Sequence, residues 1–193
     1  MPGLWTGFQI RTNGTPSGTI AYWNNYNSIT LGTTLSSCVY EDNTNSPVTL
    51  TMDGAYTGRT NGGVNADNGI FPAAVRVSSY YITSSGPMTW DFGGLTNGKT
   101  YEIRAIGSRT AGTGRTGDMT IGGTTLTIDA NDGGAGEIVT FTGVSPSSGV
   151  IQASYTLGSG SSYAYINGFV IREEDAGGAT GKKLFLGLAG VGF

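Results

Sequence analysis

The chain has no histidine, a single cysteine and little charge of either sign. Only 12% of its 193 residues are Asp, Glu, Lys or Arg, about half the ~25% of an ordinary globular domain. Without histidine there is no Ser–His or Cys–His nucleophile pair, and the commonest general base and transition-metal ligand are both missing. The lone Cys38 excludes a disulfide within the chain. In Ser37-Cys38-Val39-Tyr40 it reads as a small hydrophobe in a strand. Thirteen acidic against ten basic residues leave a net charge of −3, so the basic footprint of a nucleic-acid binder is absent. No stretch approaches the ~18 apolar residues of a membrane span. Met1 to Trp5 shows no basic region followed by an apolar run, so no export signal is expected.

What is present is 34 glycines, much Ser, Thr and Asn, and an aromatic set of ten Tyr, seven Phe and three Trp. The aromatics and the Val and Ile residues can build a core, which argues against disorder. No window carries a helical period with a cap at each end. Turn signals such as Asn13-Gly14, Asp53-Gly54, Asn97-Gly98, Gly122-Gly123 and Ser148-Gly149 recur at intervals of roughly 8 to 14 residues, with short β-branched and aromatic runs between them. That spacing predicts an all-β fold, a jelly-roll-type antiparallel β-sandwich.

In Thr100-Tyr101-Glu102-Ile103-Arg104-Ala105, the residues Tyr101, Ile103 and Ala105 share one face and Glu102 and Arg104 the other, as in a half-buried strand. Residues 137–141 and 150–155 read as strands, as do Thr89 to Phe92 and Ala74 to Val77. The run Tyr163 to Ile171 is apolar on both faces and predicts one central strand covered on both sides. Asp53 to Gly69 reads as a long exposed loop. The chain divides into an N-terminal arm (1–20), a sandwich (21–175), and a Gly-rich linker with an apolar tail (176–193). In that tail Leu184, Phe185, Leu186, Leu188, Val191 and Phe193 form a surface that needs covering. It either folds back on its own domain or docks onto another subunit, and docking is the reading taken.

No motif of covalent or cofactor chemistry stands out, and no cofactor is expected. Gly112-Thr113-Gly114-Arg115-Thr116-Gly117 spells a dinucleotide fingerprint, but a strand rather than a helix follows it. Asp129-Ala130-Asn131-Asp132-Gly133 resembles the front of a calcium loop, yet Val139 stands where the closing bidentate carboxylate belongs. It reads as a polar turn, and no metal site is expected. Glu41, Asp42, Asp91, Glu102 and Asp118 are available to a glycosidase, but no motif marks them. Glu102 beside Arg104 reads as an exposed ion pair. The chain is therefore expected not to be an enzyme. Trp90, alternating with Phe92, reads as core. A polar-aromatic binding surface is sought instead in Trp23, Asn25 and Tyr26, with Tyr80 and Tyr81, because flat sugar faces pack on aromatic rings while Asn supplies hydrogen bonds.

The order of Phe92-Gly93-Gly94-Leu95, Tyr101-Glu102-Ile103, Gly107-Ser108-Arg109, Asn131, Ile138-Val139-Thr140-Phe141, Val144-Ser145-Pro146, Gly149-Val150-Ile151 and Tyr165-Ile166-Asn167-Gly168-Phe169-Val170-Ile171 resembles the malectin-like, galactose-binding-like β-sandwich modules of bacterial extracellular proteins and bacteriophage structural proteins. The resemblance spans residues 88–173. It implies a jelly roll that binds carbohydrate or serves as an adhesive unit, without catalysis of its own. It also makes the Gly107-Ser108-Arg109 turn and the Tyr165-Ile166-Asn167 strand architectural.

Two functions follow. The first is a virion structural protein (a capsid decoration, head-fibre or tail-associated protein), made in the host cytoplasm without a signal peptide. It would assemble as a homo-oligomer with other virion proteins and contact cell-surface glycans, with neither nucleic acid nor membrane as partner. The second is a carbohydrate-binding module of a secreted polysaccharide-active enzyme or adhesin. If the tail is an assembly arm, light scattering should find the full chain a defined oligomer and the chain truncated after Asp175 a monomer. Two monomers would return the tail to its own domain.

Overall fold

The computed structural model describes residues 3–10, 23–28, 30–66, 70–84, 86–110, 112–131 and 136–175. The expected tail, 176–193, and much of the expected arm lie outside these residues. Five strands form one sheet: β1 (Thr6–Ile10), β2 (Trp23–Tyr26), β8 (Tyr101–Gly107), β11 (Glu137–Val144) and β14 (Gly168–Glu173), in the order β11-β8-β14-β1-β2. A six-stranded sheet contains β3 (Thr34–Leu35), β4 (Thr49–Met52), β7 (Met88–Gly93), β9 (Thr116–Ile121), β10 (Thr124–Asp129) and β12 (Ile151–Leu157), ordered β10-β9-β12-β7-β4-β3. A small sheet holds β5 (Gly58–Thr60), β6 (Ser79–Ile82) and β13 (Ala164–Ile166), ordered β13-β6-β5. Among the described residues every pairing is antiparallel except that of β1 with β2.

The two larger sheets close on each other as an all-β sandwich. Alternate residues of each strand point inward, as the period-two pattern requires. Phe169 of β14 meets Trp90 at 5.0 Å and Phe92 at 5.3 Å between ring centroids, both nearly edge-on, and Phe8 reaches Phe92 at 6.1 Å. Each such fully buried side chain contributes about 1.5–3 kcal/mol. Turn chemistry fixes the registers. Gly122 and Gly123, at φ +58° and +80°, form the two-residue link between β9 and β10, a bend that favours glycine because both positions are left-handed.

The five-stranded sheet is covered on its other face too. Trp5, Trp23, Phe71, Val75, Ile106 and Val170 make a second apolar cluster there. Val75 comes from a one-turn helix, α1 (Ala73–Val77), where the valines predicted a strand. Pro72 decides otherwise: it has no N–H for a ladder, and its carbonyl accepts from the N–H groups of Val75 (3.0 Å) and Arg76 (3.3 Å). Among the described residues no helix is long and apolar enough to cross a membrane.

Three further expectations change. Thr6 to Ile10, assigned to an arm, is an inner strand between β14 and β2 and buried throughout. Gly7 hides it from the alternation pattern, because Trp23 lies where a Cβ would stand, 2.9 Å away. The stretch from Asp53 carries β5, and Gly63 packs so tightly on the Arg76 carbonyl that it is pinned rather than exposed. The run Tyr163 to Ile171 is two strands in two sheets, β13 and β14, broken at Asn167.

Asn167 is fully buried. Its Oδ1 accepts from the Ser108 N–H at 2.7 Å, and its Nδ2 donates to the carbonyls of Arg76 (2.5 Å) and Ser78 (2.9 Å). Its backbone donates to Ile106 and accepts from Ile10, both at 2.9 Å. One side chain thus ties the end of β8 to the segment leaving α1. Asn167→Ala strands a buried N–H and two carbonyls, so urea unfolding should show a loss of roughly 3–5 kcal/mol. Asn167→Asp should cost at least as much, since a carboxylate would face those two carbonyls. A loss under about 1 kcal/mol would contradict this role.

Candidate functional site

The outward side of the small sheet gathers the half-buried Tyr81 and Tyr163 around Tyr165, which is itself 3% exposed. One register row reads Gly58, Tyr81, Tyr165, and Tyr163, two residues before Tyr165, projects to the same side. The Tyr163 and Tyr165 rings lie nearly parallel, 6.0 Å apart at 19°, and Tyr81 leans on them at 5.9 and 5.5 Å. Two arginines from the segment joining β8 to β9 complete the face. The Arg115 guanidinium sits 4.2 Å over the Tyr163 ring and 5.5 Å from that of Tyr165, and its Nη1 donates to the Tyr165 hydroxyl at 3.2 Å. Arg109 lies 5.1 Å over Tyr165 and donates from Nη1 to Thr60 Oγ1 at 2.9 Å. Such stacked cations contribute roughly 0.5–2 kcal/mol each.

Glycines make the room. A Cβ on Gly58 would stand 2.6 Å from the Tyr81 hydroxyl, one on Gly62 1.8 Å from Arg109 Nη1, and one on Gly112 2.8 Å from Arg115 Nη2. The glycine-rich run that spells a dinucleotide fingerprint therefore seats an arginine, and its end enters β9 rather than a helix. Backbone bonds set the arginines' positions: Arg109 N–H to the Ala130 carbonyl at 2.6 Å, and Ala130 N–H to the Arg115 carbonyl at 3.2 Å. Among the described residues neither arginine forms an ion pair, and neither Nε has a hydrogen-bond acceptor. Burial pushes the Tyr165 phenol up, and the two arginines pull it back.

Of the residues sought as a sugar surface, only Tyr81 belongs to this face. Trp23 is 6% exposed and stacks against Phe71. Tyr26 is 1% exposed; its hydroxyl donates to the Thr33 carbonyl at 2.7 Å and accepts from the Met52 N–H at 3.2 Å. Tyr80 is fully buried and donates to the Ser28 carbonyl at 2.6 Å. These rings offer no face to a ligand. Asn25 is half-buried on β2, apart from the Tyr81 row. Its neighbour Asn24 spends its amide on the carbonyls of Gly7 and Val39. Asn beside aromatics here is the chemistry of an anchored edge strand. Tyr163, Tyr165, Arg109 and Arg115 escaped notice because three strand registers are needed to bring them together. The available signal was Tyr-x-Tyr, with one residue of every pair forced outward.

The remaining candidates are held in structural roles. Cys38 is 2% exposed, and burial pushes its thiol up to about 11, so it has no thiolate to offer near neutrality. Asp129 accepts from the Asn131 N–H at 2.9 Å; residues 132–135 of that turn lie outside the described residues. Among the described residues no group of three or more metal-ligating side chains occurs. Asp42 closes the turn to Thr44, Asp118 accepts from Thr127, and Asp91 from Gln152. A groove of about 310 Å³ runs beside Leu4, Tyr40, Pro47 and Tyr101. Its polar groups are spent on protein partners: Arg172 on Glu102, Glu173 on Lys99, and the Tyr101 hydroxyl on the Thr96 N–H.

No protein-family model matches the sequence, and neither does any curated protein. In fold, the chain is similar to the plant receptor-like kinase FER, with TM-score 0.53 and 16% identity, over 86% of this chain and 41% of that one. It is similar to the ANXUR1 extracellular domain from Arabidopsis thaliana with TM-score 0.53 and 18% identity, over 87% of this chain and 48% of that one. CBM35 from Cellvibrio japonicus Abf62 aligns at TM-score 0.39 and 11% identity, over 63% of this chain and 91% of that one. The chain thus spans less than half the length of the first two. At this identity the likeness concerns the fold, and the fold is the all-β sandwich expected from the sequence. A bacteriophage origin finds no support among these neighbours.

Glu102, expected as an exposed pair, is 7% exposed. It accepts from Arg104 at 2.7 Å and from Arg172 at 2.6 Å, and both guanidiniums also cover the Trp5 ring. Burial works to raise its carboxyl, and the Arg172 and Arg104 hydrogen bonds outweigh it, holding the group below the usual carboxylate range. A depressed folded value gives stability that is present above the unfolded value of about 4.3 and lost as pH falls through the folded one. Urea midpoints should therefore show Glu102→Gln less stable than the parent near neutrality, with the gap closing on acidification. A gap independent of pH would contradict this.

Proposed function

We propose that the chain is a non-catalytic carbohydrate-binding β-sandwich module, with its ligand seated on the face made by Tyr81, Tyr163, Tyr165, Arg109 and Arg115. The observation that carries this is the placement of two half-buried tyrosines, Tyr81 and Tyr163, and two guanidiniums on one sheet face, packed around the buried Tyr165 ring. Sugars present apolar ring faces and hydroxyl edges, so aromatic carbons with fixed donors at their margin match both. The resemblance to malectin-like and galactose-binding-like modules supports the same reading.

The virion structural role rests on composition and on tail residues outside those described; nothing in the sandwich favours it over the binding module.

The test is a glycan-binding screen of the full chain beside Tyr163→Ala and Tyr81→Ala, with thermal unfolding as the fold control. Losing one stacked ring should weaken binding about tenfold or more, while both variants melt close to the parent. Equal binding by all three would move the site elsewhere, and no glycan bound by any of them would remove the function.

A further inference from the structure

We propose that the ligand of this face is anionic: a glycan carrying a carboxylate or sulfate group, gripped by Arg109 and Arg115. The inference rests on the carbohydrate-binding reading and adds a charge requirement. A neutral-sugar platform leaves its ring faces bare. Here two guanidiniums sit over the rings of Tyr163 and Tyr165, 4.2 and 5.1 Å from the centroids. Half-buried cationic groups thus share this face with the half-buried rings of Tyr81 and Tyr163.

The hydrogen-bond accounting agrees. Each guanidinium carries five N–H donors. In each, Nη1 makes one bond, to Tyr165 or Thr60, and among the described residues Nε is buried without an acceptor. The carboxylates that hold other arginines of this chain show the contrast: Glu102 takes both Arg104 and Arg172. Arg109 and Arg115 have no such partner among the described residues, in a chain whose net charge is −3. Two uncompensated guanidiniums, fixed in orientation by ring stacking and by the Ala130 backbone bonds, form a preorganised fork for a planar carboxylate or for the oxygens of a sulfate. The hydroxyls of the half-buried Tyr81 and Tyr163 are left to meet sugar hydroxyls at the margin.

The experiment is an array of matched oligosaccharides in neutral, uronate and sulfated forms, with poly-glutamate as a non-sugar polyanion. It is probed with the full chain and with Arg109→Gln, Arg115→Gln and Arg115→Lys. The parent should bind uronate or sulfated members and not their neutral counterparts; which of the two it prefers names the anion. Each Gln variant should lose about tenfold or more of that binding while melting like the parent. Arg115→Lys should recover only part, because the charge returns without the planar fork. Added salt should weaken parent binding more than variant binding. Neutral members bound as tightly as acidic ones, with the Gln variants unaffected, would overturn the charge requirement and leave the carbohydrate reading standing. Poly-glutamate bound as tightly as the acidic glycans would overturn the sugar part, and no glycan bound at all would remove both.

Discussion

One buried amide holds the geometry on which everything else depends. Between β13 and β14 the chain must leave the small sheet and enter the centre of the five-stranded one, and at that break several backbone groups lose their ladder partners. Asn167 supplies those partners from a single side chain, bonding Ser108, Arg76 and Ser78. A hydrophobic residue would leave the three groups orphaned in the interior, each at a cost of about 1–3 kcal/mol. Gly168 follows because nothing larger fits: a Cβ there would stand 2.7 Å from Val75 and 2.9 Å from the Phe8 carbonyl.

The same break builds the candidate site. Because β13 belongs to the small sheet, Tyr165 packs beside Tyr81 beneath the arginines while Ile166 enters the core. Because Ser108 is fixed to Asn167, the next residue, Arg109, starts from a defined place and reaches the Tyr165 ring. Core and candidate face are two consequences of one change of sheet. The candidate site lies beside the small third sheet, on side chains backed by paired strands, as a preorganised site requires.

Much of this was legible in the sequence, and its gaps have physical causes. Strands such as β7 and β12 alternate because one face meets core and the other is more open, so period two survives. β1 defeated that signal, being buried on both faces with a glycine in the middle. β13 and β14 ran together because both are buried, and the Asn that separates them looks like any polar residue until its partners are seen. For the site, composition misled: Trp23, Asn25 and Tyr26 have the chemistry of a sugar surface, but two of the three rings and amides are spent inside. Tyr163, Tyr165, Arg109 and Arg115 carry the same chemistry on separate segments, and only strand register joins them.

The central claim is that ligand contact falls on the face backed by Tyr163 and Tyr165. The most direct measurement is chemical-shift mapping of the isotope-labelled full chain titrated with a uronate oligosaccharide, following backbone amides and arginine Nε–H signals together. The account predicts saturable shifts at the Arg109 and Arg115 side chains and at Tyr81, Tyr163 and Tyr165. Shifts centred instead on β2 at Trp23 to Tyr26, or on the groove beside Leu4 and Tyr40, would contradict it.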